Sequence, residues 1–284
     1  VRNTFLNLEK IKSTIPMKKL NKAAYLFGTL FFTTAFFCNA QTLLQADGPG
    51  NTYELINTVL AAGKEAVETP DCAHDTFGRH ITEVMDADLN KYVFAFSIHV
   101  TPDNDRCQKE DRQRLEIKTY EPSPDHLKGS NGEIVTYQWK FKLPKGFQPS
   151  TSFTHLHQIK AVGGDDGMPI ITLSAKKGKV NKLNLVHDNT NIVASADLAD
   201  FENTWVEATE TIKVGAQGSY SMSIKKISNG KELLSYSNPN IMTIRADNTF
   251  IRPKWGIYRS LKKMEDLRNE TVLFADFSIT EETN

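Results

Sequence analysis

Three short stretches, far apart in the chain, carry polar side chains at alternate positions: Arg114-Leu115-Glu116-Ile117-Lys118, Gln158-Ile159-Lys160 and Lys254-Trp255-Gly256-Ile257-Tyr258-Arg259-Ser260. In a strand, residues two apart share a face. That groups Arg114, Glu116 and Lys118, pairs Gln158 with Lys160, and sets Lys254 beside Tyr258 and Ser260, while Leu115, Ile117, Ile159, Trp255 and Ile257 turn to a core. An ammonium and a carboxamide together can hold a carboxylate and neutralise it. If that carboxylate belongs to a uronic acid, neutralisation acidifies the proton on C5 and stabilises the enolate that forms when it leaves. Rupture of the bond to the C4 oxygen then completes a β-elimination.

Tyr258 is the candidate base. A phenol of pKa about 10 is a poor base at neutral pH unless nearby cations favour its anion, and Lys254 and Arg259 lie in the same short segment. Gln158 and Lys160 are the candidates to neutralise the carboxylate. Arg79, just ahead of His80, is a plausible cleft cation. Glu116, between Arg114 and Lys118, reads as an ion-paired part of the same substrate face. His155 and His157 share parity with Phe153 and Ile159 and are expected to point inward, unless a β-bulge reverses one of them; His157 is retained as a candidate contact to substrate. The remaining histidines, His80, His99, His126 and His187 among them, carry no recognisable motif, and no third ligand accompanies His155-Leu156-His157, so a catalytic zinc is not expected.

These residues need a scaffold of strands. Helical periodicity is confined to Thr52–Ala66, whereas strand-length runs recur at 92–99, 137–143, 170–176, 205–214, 220–227 and 272–279, separated by Gly-, Pro-, Asn- and Asp-rich turns. Roughly a dozen short strands without internal repeats fit an all-β antiparallel sandwich of the jelly-roll, concanavalin-like kind, with the polar face forming a concave groove.

Compartment follows from the N-terminal segment. Met17-Lys18-Lys19-Leu20-Asn21-Lys22 precedes an apolar run from Ala23 to Cys38, then Asn39-Ala40. A basic start, a short apolar core and a small residue at the cut describe a secretory signal peptide over 17–40, with 1–16 an upstream extension and 41–284 a single catalytic domain. The whole sequence has 34 basic and 34 acidic residues. Setting aside Arg2, Lys10, Lys12, Lys18, Lys19, Lys22 and Glu9 leaves a net charge of about −5. No bulk basic field for nucleic acid exists, so polyanion binding must come from a local cleft. Cys72 and Cys107 read as one disulfide in an exported protein, with two free thiols as the alternative. The Gly-X-Ser-X-Gly elbow, phosphate-binding Gly-rich loop and His-Glu-X-X-His motif are missing.

Together the three segments resemble the signature strands of jelly-roll polysaccharide lyases, Arg-X-Glu-X-Arg, Gln-Ile-His and Lys-X-Gly-X-Tyr-X-Gln in the alginate-lyase-like group. Here Lys118, Lys160 and Ser260 replace the second arginine, the histidine and the final glutamine. The stretches 102–107, 153–164, 204–211 and 250–260 are more similar to ulvan lyases of polysaccharide lyase family 28 from marine Bacteroidetes. That resemblance spans about Gln41 to Ile279. It implies a secreted, endo-acting lyase on ulvan, an anionic algal polymer of sulfated rhamnose and uronic acid, leaving unsaturated uronyl ends. The roles it implies are Tyr258 as base and acid, Lys160 and Gln158 on the uronate, Arg114 assisting there or binding a neighbouring unit, and Arg259, Lys254, Lys118 and Arg79 on sulfate. A glucuronan lyase and a non-catalytic carbohydrate-binding module of the same fold are the alternatives. Catalysis would need no cofactor; a structural calcium near acidic strand ends such as Asp276 is compatible. A monomer, free of the membrane after signal cleavage, is expected.

Overall fold

The computed structural model describes residues Ala40–Glu282, so the expected signal peptide over 17–40 lies, but for Ala40, outside the described residues. Within them the chain forms fifteen strands: β1 (Ala40–Leu44), β2 (Val67–Glu68), β3 (Ile81–Asp86), β4 (Lys91–Ile98), β5 (Arg112–Lys118), β6 (Ile134–Lys142), β7 (Thr154–Val162), β8 (Ile171–Lys176), β9 (Lys182–His187), β10 (Asn191–Asp197), β11 (Val206–Lys213), β12 (Gly218–Lys226), β13 (Glu232–Ile241), β14 (Phe250–Ser260) and β15 (Glu270–Glu282). An eight-stranded sheet runs β13-β12-β11-β6-β15-β4-β3, with β1 also on β15; a seven-stranded sheet runs β10-β9-β8-β7-β14-β5-β2. Every pairing between named strands is antiparallel. The expected two-sheet sandwich is the fold found.

Alternation explains the core. In β6, Val135, Tyr137, Trp139 and Phe141 are buried while the residues between them are half-exposed. From the opposing sheet, Trp255 of β14 meets Trp139 at 6.1 Å and Tyr137 at 6.0 Å between ring centroids. Phe277 lies 5.2 Å from Trp255. Aromatics bury about 150–250 Å² each, so this seam supplies much of the drive that joins the sheets.

The helix α1 (Thr52–Ala61) is shorter than the expected Thr52–Ala66. Ala62 and Gly63 take left-handed backbone (φ 49° and 83°), and the Gly63 amide bonds back to the Asn57 carbonyl at 2.9 Å. Ile56 and Leu60 enter the core. Cys72 and Cys107 do form the disulfide, with Cα atoms 6.3 Å apart. Asp276, the residue considered for calcium, is instead held by Lys91, by Lys140 at 2.7 Å and by Gln45 at 2.8 Å; two ammonium groups fill its charge requirement.

Strands β7, β14 and β5 lie side by side and carry all three chemistry-bearing segments. Lys254 is opposite both Lys118 and Gln158, and Tyr258 opposite both Arg114 and His155. The β7–β14 register slips by one residue between Trp255 and Tyr258, and β7–β8 slips between His155 and His157. Gly256 sits in this slip with φ 142°; a Cβ there would stand 2.1 Å from the Leu115 carbonyl oxygen and 2.8 Å from the Glu116 Cα. Both obstacles are backbone and cannot swing away. Gly256→Ala should therefore cost about 2–4 kcal/mol. Its thermal midpoint should fall by at least about 5 °C; an unchanged midpoint would show that the slip does not need glycine.

Candidate active site

The outer face of the seven-stranded sheet holds a groove of about 650 Å³. Tyr258, His155, Gln158, Lys160, Arg114 and Arg252 all line it. The geometry thus brings Tyr258, Gln158 and Lys160 together, as their alternation requires.

A charged layer forms the groove's floor: Glu68, Arg106, Arg114 and Lys254 line it, and Glu116 lies beneath. Glu116, fully buried, accepts hydrogen bonds from Gln158 Nε2 and Arg114 Nη1, and from Lys254 Nζ at 3.1 Å. Glu68 is bound by Lys254, by Lys118 at 2.8 Å and by Arg106 at 2.9 Å. Asp105 bridges Arg106 at 2.8 Å and Arg114 at 3.0 Å. Burial alone would raise both glutamates, but Lys254 with Lys118 and Arg114 holds Glu68 well below the usual carboxylate range, and Lys254 with Arg114 does the same for Glu116. Burial lowers Lys254 against the pull of both carboxylates. Glu116, Lys254 and Lys118 are therefore structural charges, already compensated, rather than free contacts for substrate. Lys118 also opens into a neighbouring depression of about 530 Å³ beyond the Glu68–Arg106 bridge.

Two cations differ. Lys160 donates to the Asp166 carbonyl at 2.6 Å and the Gly167 carbonyl at 2.9 Å. Arg252, its cross-strand partner, donates to the Thr119 carbonyl at 3.2 Å, and its buried Nε has no hydrogen-bond partner. Neither forms a salt bridge among the described residues. Burial, then Lys254 and Arg252, pushes Lys160 down to about 8. An uncompensated ammonium–guanidinium pair in a groove favours an incoming anion.

The Tyr258 hydroxyl accepts a hydrogen bond from Arg112 Nη1 at 3.0 Å, and the Arg114 guanidinium lies 3.7 Å from its ring centroid. These two arginines, not Lys254 and Arg259, face the phenol and would stabilise charge developing on its oxygen. Arg112 was not legible as a site residue, although it continues the alternation of Arg114 by one pleat.

The bulge in β7 settles the histidines. His155 turns outward, its ring 5.8 Å from that of Tyr258, with Nδ1 on Ser174 Oγ. Ser174 donates to Thr172 Oγ1 at 3.1 Å, so it accepts from His155 Nδ1–H and leaves Nε2 with its lone pair. Burial pushes His155 down to about 4, with Arg114, Lys160 and Lys254 opposing Glu116; the imidazole is neutral at ordinary pH. His157 turns inward instead, fully buried, on Glu210 at 2.8 Å and against Trp139, and cannot meet substrate.

Two other expected grips are absent from the groove. Arg259 is fully buried, with Nε on Gln113 at 2.7 Å and Nη1 on the Arg268 carbonyl at 3.0 Å; its odd position in β14 faces the interior. Arg79 pairs with Glu54 at 2.6 Å and lies over Tyr53, away from the groove.

The compensated layer has a measurable signature. Glu116→Gln leaves Arg114 and Lys254 short of a buried counter-charge and should cost about 3–5 kcal/mol in urea unfolding. Because Glu116 and Glu68 are depressed, their stabilisation is present above an ordinary carboxylate pKa of about 4.3 and is lost as pH falls below it. Unfolding free energy that is flat across that window would contradict the layer.

The polysaccharide lyase family model matches residues 83–277. Similar solved structures share the fold at low identity. The alginate lyase Aly36B, bound to an alginate trisaccharide, is 9% identical with TM-score 0.56, covering 86% of this chain and 98% of its own. The marine PL-14 alginate lyase from Aplysia kurodai is 11% identical with TM-score 0.52, covering 84% and 97%. Alginate lyase AlgAT5 of polysaccharide lyase family 7 is 15% identical with TM-score 0.50, covering 76% and 94%. No curated protein matches the sequence significantly. With the family model covering well over half its length, this chain belongs to the polysaccharide lyase family.

Proposed function

We propose that the protein is a secreted, endo-acting lyase that cleaves a uronate polymer by β-elimination, with ulvan as its substrate. The observation that carries this reading is the placement of Tyr258 and neutral His155 in one groove with the uncompensated Lys160–Arg252 pair. Lys160 and Gln158 receive the uronate carboxylate, with Arg252 beside them, and their interaction strengthens as the enolate forms. A base takes the C5 proton, the electron pair moves toward the carboxyl carbon, and its return expels the C4 oxygen. Tyr258 and His155 are the groups placed for these proton transfers. Tyr258, supported by Arg112 and Arg114, is the base in our reading, and it can return its proton to the leaving oxygen. The second cation beside Lys160 and the resemblance of the 153–164 and 250–260 stretches to ulvan lyases favour a polymer carrying sulfate as well as carboxylate.

Incubation with ulvan, glucuronan and alginate should give near-ultraviolet absorbance from a conjugated enoate on ulvan. A rate equally high on unsulfated glucuronan would transfer the substrate to that polymer. No absorbance on any of the three, with retained binding, would favour a carbohydrate-binding module. Tyr258→Phe should lower kcat by at least about 10²-fold with binding nearly intact.

The pH profile follows from two groups. His155 gains its charge as pH falls through about 4, and Lys160 loses its charge as pH rises through about 8. In kcat/KM, which reports free-enzyme groups, the acid limb should lie near 4 and the alkaline limb near 8. Lys160→Arg keeps the charge and should push the alkaline limb upward. An alkaline limb unmoved in that variant would exclude Lys160 as the titrating group.

A further inference from the structure

Away from the groove, three imidazoles converge on one carboxylate. His74 Nδ1 lies 2.9 Å from Asp103 Oδ1, His80 Nε2 lies 3.1 Å from the same oxygen, and His99 Nδ1 lies 3.2 Å from Oδ2. The four donor atoms fall within 4.8 Å of one another. Four ligands at the zinc distances of about 2.0–2.1 Å in a tetrahedron are separated by about 3.3 Å; the three nitrogen–oxygen spacings here are 2.9, 3.1 and 3.2 Å, and the whole group is no wider than 4.8 Å. His80 and Asp103 are fully buried, whereas His74 and His99 keep about a fifth of their side-chain surface, which leaves an entry side.

The surroundings are those of a built site. His80 Nδ1 is 2.7 Å from Asp71 Oδ1, and Asp71 accepts from the Tyr53 hydroxyl at 2.8 Å. A carboxylate on the far nitrogen of a histidine fixes its tautomer and sharpens its basicity toward a metal. A metal at Nε2 would leave His80 with the single Nδ1 proton that Asp71 accepts. The Asp103 Oδ2 atom is also fixed by the His99 amide. Phe77 covers the group, its ring centroid 4.3 Å from His99, 4.8 Å from His80 and 5.3 Å from His74. Exclusion of water by an aromatic lid suits a closed site with four protein ligands.

We propose that His74, His80, His99 and Asp103 form a structural site for zinc(II). Three imidazoles and one carboxylate suit zinc; calcium, which takes six to eight oxygens, does not fit them. The site would fasten the segment 71–80 to the segment 99–107, the same two segments that the Cys72–Cys107 disulfide joins. The second segment continues into Asp105 and Arg106, which brace Arg114 and Glu68 beneath the groove. Buried Gln113 holds this loop from within, donating to the Asp103 carbonyl at 2.9 Å, and Arg259 holds Gln113. Arg259 thus supports the loop rather than any sulfate.

The test needs no polysaccharide, so its outcome is separate from the lyase reading. The purified chain, disulfide intact, is stripped with a chelator and titrated with zinc(II) against a chromophoric competitor. One equivalent should bind, and cobalt(II) should give the visible absorption of a tetrahedral site. At zinc about 100-fold above Kd the thermal midpoint should rise by about 5 °C or more, with no rise in equimolar calcium. His74→Ala and His99→Ala should each lose the equivalent while keeping the native circular-dichroism spectrum. Asp71→Asn, which touches no metal, should weaken binding about 10–100-fold. Absence of zinc uptake by the stripped wild-type chain, or uptake undiminished in both alanine variants, would overturn the site.

Discussion

The Glu116 carboxylate, sealed under the groove between a carboxamide, a guanidinium and an ammonium, is the interaction on which the rest of the site depends. A lone carboxylate at that depth would cost several kcal/mol, so Arg114 and Lys254 must stay close to it. Glu68 and Asp105 extend the same compensation to Lys118 and Arg106. Four cations are thereby committed to the protein itself. Lys160 and Arg252 stand outside this arrangement, side by side across β7 and β14, and are placed to meet an anion.

Backbone irregularity does the remaining selection. A regular β7 would have turned both His155 and His157 inward. The one-residue slip keeps His157 in the core on Glu210 and delivers His155 beside Tyr258. Gly256, on the neighbouring strand, permits the same slip where any side chain would strike backbone. The phenol, the imidazole and the anion pair therefore depend on a defect in pairing as much as on side-chain chemistry.

Much of this was legible in the sequence. Alternation located β4, β6, β8, β11, β12 and β15 to within a few residues, and the parity of 114, 158, 160, 254 and 258 placed those side chains on one face. Strands such as β10 and β13 were not foreseen, because edge strands with exposed, polar positions carry no core stripe. Arg259 was misjudged by adjacency: a neighbour of Tyr258 in sequence must face the opposite side of the sheet. Arg79 was assigned by residue type alone, and type does not report orientation; His157 was kept as a substrate contact although its parity already turned it inward, where the structure has it. His155 was accessible only through the bulge, which has no signature in a single sequence beyond a suggestive Gly256 on the adjacent strand. The cluster of His74, His80, His99 and Asp103 was invisible because its members come from separate loops, with spacing that matches no common metal motif.

The division between committed and uncommitted cations is tested most directly by a crystal structure of the Tyr258→Phe variant with an ulvan oligosaccharide. A uronate carboxylate is expected within about 3.2 Å of Lys160 Nζ or Gln158 Nε2, with C5 turned toward residues 155 and 258. A carboxylate seated instead on Lys118 and Arg106, in the depression beyond Glu68, would contradict it.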